Sequence, residues 1–235
     1  MTGDPGSLSL EVASRTDRGV SARANALTLR SSLTAATLLR SLNGIDPNIF
    51  FTAATPVPEE FRARHAVRRT YRYFEAAHGE NDRRAWEAAP LFRGTVDVRS
   101  LGRSIPSTAP SWRAIESVTV RPLDGGWLVE VRAPAFVWGM VRKIVAALRQ
   151  VDAGRLSAAR LRSALEGKVR LTLPMAEPEP LVLWEVEYDL PWTVLWRGPN
   201  RGQAAAARAH RDTLWVRSRL IDALPAGPGD AEPSS

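Results

Sequence analysis

The fold turns on Trp127-Leu128-Val129-Glu130-Val131-Arg132-Ala133, followed two residues later by Phe136-Val137-Trp138-Gly139-Met140-Val141-Arg142-Lys143-Ile144-Val145. The first run reads as a strand. The second opens a long helix over residues 136–151, with apolar positions at Phe136, Val137, Met140, Val141, Ile144, Val145 and Leu148. Upstream, residues 113–121 read as another strand, and Asp124-Gly125-Gly126 between the two is a tight-turn signal. A hairpin that runs straight into a helix belongs to an α+β fold. Doubly wound parallel sheets alternate single strands with helices instead.

Working outward, Val67-Arg68-Arg69-Thr70-Tyr71-Arg72-Tyr73-Phe74 alternates strongly, with Tyr71 and Tyr73 on one face. Leu8, Leu10 and Val12 mark an N-terminal strand, residues 25–30 a second, and residues 49–53 a third that ends before Pro56 and Pro58. Ser32 is placed to cap a helix through Leu33, Leu38, Leu39 and Leu42 that stops at Asn43-Gly44. Further helices are predicted over residues 82–88 and 98–103, and from Ser157 through Leu161 and Leu165 to Gly167. Residues 181–188 form the last predicted strand. Residues 192–224 mix tryptophan, arginine and alanine without a clear register, and the Pro/Gly/Ala/Ser-rich tail 225–235 reads as disordered.

Composition narrows the chemistry. The 235 residues contain no cysteine, which excludes disulfides, thiolate metal sites and a cysteine nucleophile. The three histidines, His65, His78 and His210, stand in unrelated contexts and argue against a histidine zinc site. No apolar run is long enough to span a bilayer, no glycine-rich nucleotide fingerprint occurs, and a cytoplasmic location is expected. The formal net charge of +7, almost all of it carried by arginine, favours a polyanionic partner such as nucleic acid.

Near the N-terminus, Ser14-Arg15-Thr16-Asp17-Arg18-Gly19-Val20-Ser21-Ala22 sets one carboxylate between two arginines on a glycine-containing loop after a strand. That arrangement would present a carboxylate to an anionic substrate. By itself it is better read as an ordinary charged surface turn. Two further segments supply what the loop lacks: Glu60-Phe61-Arg62-Ala63-Arg64 followed by Arg68-Arg69-Thr70-Tyr71-Arg72-Tyr73, and the helix start through Met140-Val141-Arg142.

In this order and at these intervals the three segments resemble the tRNA pseudouridine synthase A family, in its archaeal form, over residues 8–190. The resemblance implies an α+β enzyme of two lobes, with mainly antiparallel sheets meeting at a central cleft and helices on the outer faces. It implies an isomerase that turns uridine into pseudouridine in the anticodon arm of tRNA, with no cofactor and no metal, acting as a homodimer and off the membrane. Asp17 matches the family's catalytic aspartate, a nucleophile at C1′ or C6 or a base toward the ribose. Arg142 matches the arginine that pairs with it, although alone it also reads as a solvated residue of an amphipathic helix. Tyr71 matches the tyrosine that packs on the extruded base, with Tyr73 assigned to the core. Arg15 is expected at phosphate or bracing the loop, and Arg18 and Arg23 are further RNA contacts. Arg62, Arg64, Arg68 and Arg69 are candidates to line the same cleft.

Against the family pattern, Asp17 arrives early. The expectation is an annotated start placed too late, with a naturally reduced first lobe as the alternative. The corresponding division is 1–64 for a truncated catalytic-loop lobe, 65–191 for the second lobe, 192–224 for an extension and 225–235 for the tail. The rival reading from another class is a non-catalytic RNA-binding protein of the same fold. A carboxylate-based glycoside hydrolase is more distant, since it needs a second positioned acid.

Overall fold

The computed structural model describes residues 10–76, 83–103, 105, 111–123, 125–195 and 198–222, without the side chains of 217–222. The first residues of the N-terminal strand, Asp124 of the turn and the tail 225–235 lie outside the described residues. The early elements are β1 (Glu11–Val12), β2 (Ser21–Ala22), β3 (Leu27–Thr28), α1 (Ala35–Leu42), β4 (Ala53–Ala54) and β5 (Arg68–Ala76). Next come α2 (Arg83–Ala88), β6 (Gly94–Asp97), β7 (Trp112–Ile115), β8 (Ser117–Leu123), β9 (Gly126–Ala133) and α3 (Met140–Asp152). The chain continues through α4 (Ala158–Leu165), β10 (Leu181–Glu187), β11 (Val194–Leu195) and α5 (Arg201–Asp222). The protein is α+β. Its chain forms two compact units, residues 1–30 with 60–190 and residues 31–59 with 191–235.

The first unit is built on a five-stranded sheet in the order β2-β10-β5-β9-β8. Every neighbouring pair is antiparallel except β2 with β10. Register decides what faces the core. Tyr71 lies opposite Val131 and Leu183, and Tyr73 opposite Val129 and Leu181, so both tyrosines share a face with aliphatic partners. The same buried cluster includes Met140, Ile144, Val145 and Leu148 of α3, spaced to put one apolar stripe toward the sheet. Tyr73 is wholly buried, as a core role requires.

Several expected boundaries move, each for a local reason. The helix expected from residue 136 begins at Met140, because Gly139 takes a left-handed φ of 77° and keeps residues 136–138 in the loop before it. The strand expected over 113–121 is two strands: β7 pairs with β6, and after Glu116 the chain changes partner to β9. Residues 98–103 are turns rather than a helix; Leu101 and Gly102 both donate to the Val98 carbonyl, and Arg99 N–H bonds the Asp97 carboxylate. Thr34, not Ser32, caps α1, its hydroxyl accepting from Thr37 N–H at 3.3 Å. The strand expected at 49–53 is only Ala53–Ala54. The N-terminal strand and the 25–30 strand are represented by the short antiparallel pair β1–β3.

In the second unit β4 pairs antiparallel with β11. The turn after α1 and the first turn of α5 share a polar knot. Asn43 exchanges hydrogen bonds with the Phe51 backbone at 2.9 Å each way, and the buried Gln203 amide donates to Asn43 Oδ1 at 2.9 Å and to the Ile49 carbonyl at 3.0 Å. Residues 192–224, which carry no readable register, thus contain a strand and a 22-residue helix.

Candidate active site

Asp17, Tyr71 and Arg142, expected from two different lobes, all belong to the first unit. The loop bearing Asp17 joins β1 to β2. It closes with a Val20 N–H to Asp17 carbonyl bond at 3.0 Å across Gly19, whose φ is 93°. Glycine is needed there twice over. The backbone is left-handed, and an added Cβ would meet Pro178 Cγ and Glu179 Oε1 at 3.0 Å. Parallel pairing of β2 with β10 then ties the loop to the sheet edge.

From the other side, the start of α3 meets this loop. Arg142 Nη1 donates to Asp17 Oδ2 at 2.6 Å, and Arg142 Nε donates to the Ala176 carbonyl at 2.5 Å. Both partners are largely buried, with side-chain exposures of 24% for Asp17 and 15% for Arg142, so the ion pair is shielded rather than solvated. The second carboxylate oxygen, Oδ1, accepts from Trp138 Nε1 at 2.6 Å. That indole sits in the loop that Gly139 holds out of the helix, half exposed, with the Arg103 guanidinium 4.4 Å from its ring centre.

Tyr71 forms the aromatic wall. Its ring meets Phe136 edge-on at 4.8 Å, and only 8% of the residue is exposed. Burial pushes its hydroxyl pKa up, against the opposing effects of a hydrogen bond with Ser14 and the nearby Arg69 charge. Asp17, Tyr71, Phe136, Trp138 and Arg142 line one cavity of about 600 Å³.

The remaining arginines separate by position. Arg15 is exposed and lines the cavity; Arg18 and Arg23 are exposed and lie outside its lining. Arg23 instead bonds the Trp184 carbonyl at 3.3 Å and stacks over its ring at 4.7 Å. Arg64 and Arg69 also line the cavity, whereas Arg62 and Arg68 do not. Arg69 is buried and spends its three nitrogens on Ser14 Oγ and the carbonyls of Ala13, Arg64 and Pro134, which makes it a brace for the Asp17 loop. Arg68 is held by Glu116 at 2.5 Å and Glu187 at 3.0 Å.

Sequence reading missed two contributors, Trp138 and Phe136, by placing both inside the helix. The signal was the Trp138-Gly139 pair, since a glycine just before an apolar helical stripe can mark a left-handed entry. Among the described residues, no group of three or more His, Asp or Glu side chains is placed to hold a metal ion.

A family model described as tRNA pseudouridine synthase matches residues 88–189, the span that holds the β8–β9 hairpin, α3 and all of β10. The tRNA pseudouridine synthase A of Thermococcus kodakarensis is 36% identical over 212 residues, covering 89% of this chain and 76% of that protein. The protein of the same name from Thermococcus onnurineus is 34% identical over 81% of this chain and 70% of its own length. That from Methanoculleus marisnigri is 34% identical over 78% and 67%. Likeness on this scale, over a chain that pairs an aspartate loop with an arginine helix across an aromatic cavity, shows that the protein belongs to the tRNA pseudouridine synthase family.

Proposed function

We propose that this protein isomerises uridine to pseudouridine in tRNA, with Asp17 as the reacting carboxylate and Arg142 as its partner. The observation that carries the reading is the doubly held carboxylate in a cavity with an aromatic wall: Asp17 against Arg142 and Trp138, facing the space lined by Tyr71 and Phe136. A cavity of about 600 Å³ has room for one extruded nucleotide. Tyr71 and Phe136 replace the stacking that the base loses on leaving the RNA.

The reaction conserves every atom. The C1′–N1 bond breaks, the uracil turns within the cavity, C5 bonds to C1′, C5 gives up its proton and N1 gains one. Asp17 assists by attack at C1′ or C6, or by taking a ribose proton. Arg142 occupies Oδ2 and fixes the carboxylate plane. Oδ1, held by a half-exposed indole, is the oxygen that can turn to the substrate.

Family membership extends the proposal to uridines of the anticodon arm and to a homodimer acting in the cytoplasm, with Arg15, Arg18 and Arg23 toward phosphate. The net charge of +7 supports an RNA partner, and no described helix is long and apolar enough to cross a membrane. Incubation with unmodified tRNA transcripts, followed by chemical mapping of pseudouridine, tests the proposal. New pseudouridines support it; tRNA binding with every uridine unchanged replaces it with the non-catalytic RNA-binding reading.

A further inference from the structure

Residues 171–180, the last part of the connection from α4 to β10, have no helix or strand and are stiffened by Pro174, Pro178 and Pro180. Residues 175–178 of this strap lie against the site. Ala176 is bonded to Arg142 twice, accepting from its Nε at 2.5 Å and donating its N–H to the Arg142 carbonyl at 3.3 Å. Met175 lies against Gly139, where an added Cβ would fall 2.7 Å from its methyl group. Pro178 lies against Gly19 of the Asp17 loop in the same way. The strap therefore backs both the loop that presents the carboxylate and the helix start that presents its partners.

What holds the strap is a second arginine of α3. Arg149 follows Arg142 by seven residues, two helical turns, so both emerge from one face. Its guanidinium binds both oxygens of the buried Glu75, at 2.9 and 2.7 Å, which fixes it to β5. Its remaining nitrogen, Nη1, reaches Glu177 Oε2 at 2.7 Å, and the wholly buried Tyr73 donates to the same oxygen at 3.2 Å. Hydrogen bonds that the carboxylate accepts from its own backbone N–H and from Arg149 hold the Glu177 carboxyl below its ordinary range. Successive strap residues, Ala176 and Glu177, are thus fastened to successive arginines of one helix face. The first of those arginines is the partner of Asp17.

We propose that Glu177 and Arg149 are positioning residues for the catalytic pair: by clamping the strap, they set the Ala176 carbonyl that aims Arg142 at Asp17. In this role, which rests on Asp17 being the reacting carboxylate, neither residue touches the substrate. Glu177 is the one to vary. Its side chain is 63% exposed, and its removal leaves the Arg149–Glu75 pair intact, so the chain keeps its fold. Arg149 is unsuitable, because its loss would strand a buried carboxylate.

The test uses the full chain as Glu177→Ala and Glu177→Gln, with two readouts. The first is independent of activity: proton exchange at Arg142 Nε, followed by NMR on 15N-arginine-labelled protein. Loosening of the Ala176 bond in Glu177→Ala speeds this exchange about tenfold while the melting temperature holds; unchanged exchange overturns the proposal. The second is single-turnover pseudouridine formation on a tRNA transcript. Glu177→Ala slows it about tenfold at unchanged tRNA affinity, and Glu177→Gln, which keeps an acceptor oxygen for Arg149, recovers most of the rate. A loss of tRNA affinity with an unaltered rate also overturns the proposal. If the unaltered protein makes no pseudouridine, the functional reading fails, while the exchange experiment still decides whether the strap sets Arg142.

Discussion

Arg142 Nη1 and Asp17 Oδ2 lie 2.6 Å apart across 125 residues of sequence. The same guanidinium reaches the Ala176 carbonyl through Nε, so one planar fork spans two partners in fixed directions. A lysine carries the same charge but cannot serve both at once. Arg142→Lys is therefore expected to keep tRNA binding and to lower the single-turnover rate about a hundredfold, because a carboxylate displaced by about 1 Å loses its line to the reacting atom. Quench-flow measurement of pseudouridine formation beside a filter-binding titration checks both halves.

Trp138 offers a finer variation. Trp138→Phe keeps an aromatic ring at the rim for Arg103 to stack on but removes the N–H that holds Asp17 Oδ1. The site is half exposed, which discounts the bond. The expected effect is a rate loss of about five- to tenfold at unchanged tRNA affinity, read from single-turnover assays.

At Tyr71 the ring and the hydroxyl should separate. Tyr71→Phe keeps the edge-on contact with Phe136 and gives up the Ser14 hydrogen bond; it should retain most of the activity. Tyr71→Ala opens the wall, costs the base its stacking partner, and should lose about 1–3 kcal/mol of substrate binding. Comparing the affinity of both variants for the same transcript tests which feature of the residue matters.

Alkaline stability follows from two other tyrosines. Burial is the leading cause that raises the hydroxyls of Tyr73 and Tyr188 from the ordinary 10.0 to about 12. Above pH 10 the unfolded chain gives up protons that the folded chain keeps, so stability falls as pH rises. The contribution is complete below about pH 10 and is lost as pH passes through about 12. Melting temperatures from pH 9 to 12 should decline over this window, and Tyr73→Phe should flatten part of the decline.

The strand and helix that carry Tyr71 and Arg142 were legible from periodicity, but the roles of Asp17, Tyr71 and Arg142 came from the family resemblance. Asp17 sits in a glycine loop after apolar alternation, Tyr71 on an unmistakable strand, and Arg142 on an apolar helical stripe, where a charge implies a partner. The alternation put Tyr71 and Tyr73 on one face, and only the resemblance assigned Tyr71 to the site and the wholly buried Tyr73 to the core. What escaped depends on a single dihedral or on contacts far apart in sequence. Gly139 at φ 77° moves Trp138 and Phe136 out of the helix and into the cavity, a conformation that no periodicity records. The strap residues Ala176 and Glu177 act through a backbone carbonyl and an ion pair fixed only by tertiary packing. Arg69 looked like one basic residue among several. Its burial beneath the Asp17 loop, with carbonyls on every side, became visible only once β5 was placed against β9 and β10.

The most direct test of the central claim is pseudouridine mapping on a tRNA transcript treated with the Asp17→Asn protein. The amide keeps the size of the carboxylate and an acceptor for Arg142, so tRNA affinity should match that of the unaltered chain. With the proposed reacting carboxylate gone, no pseudouridine should form even at enzyme excess. Pseudouridine formation at the unaltered rate would contradict the assignment of Asp17.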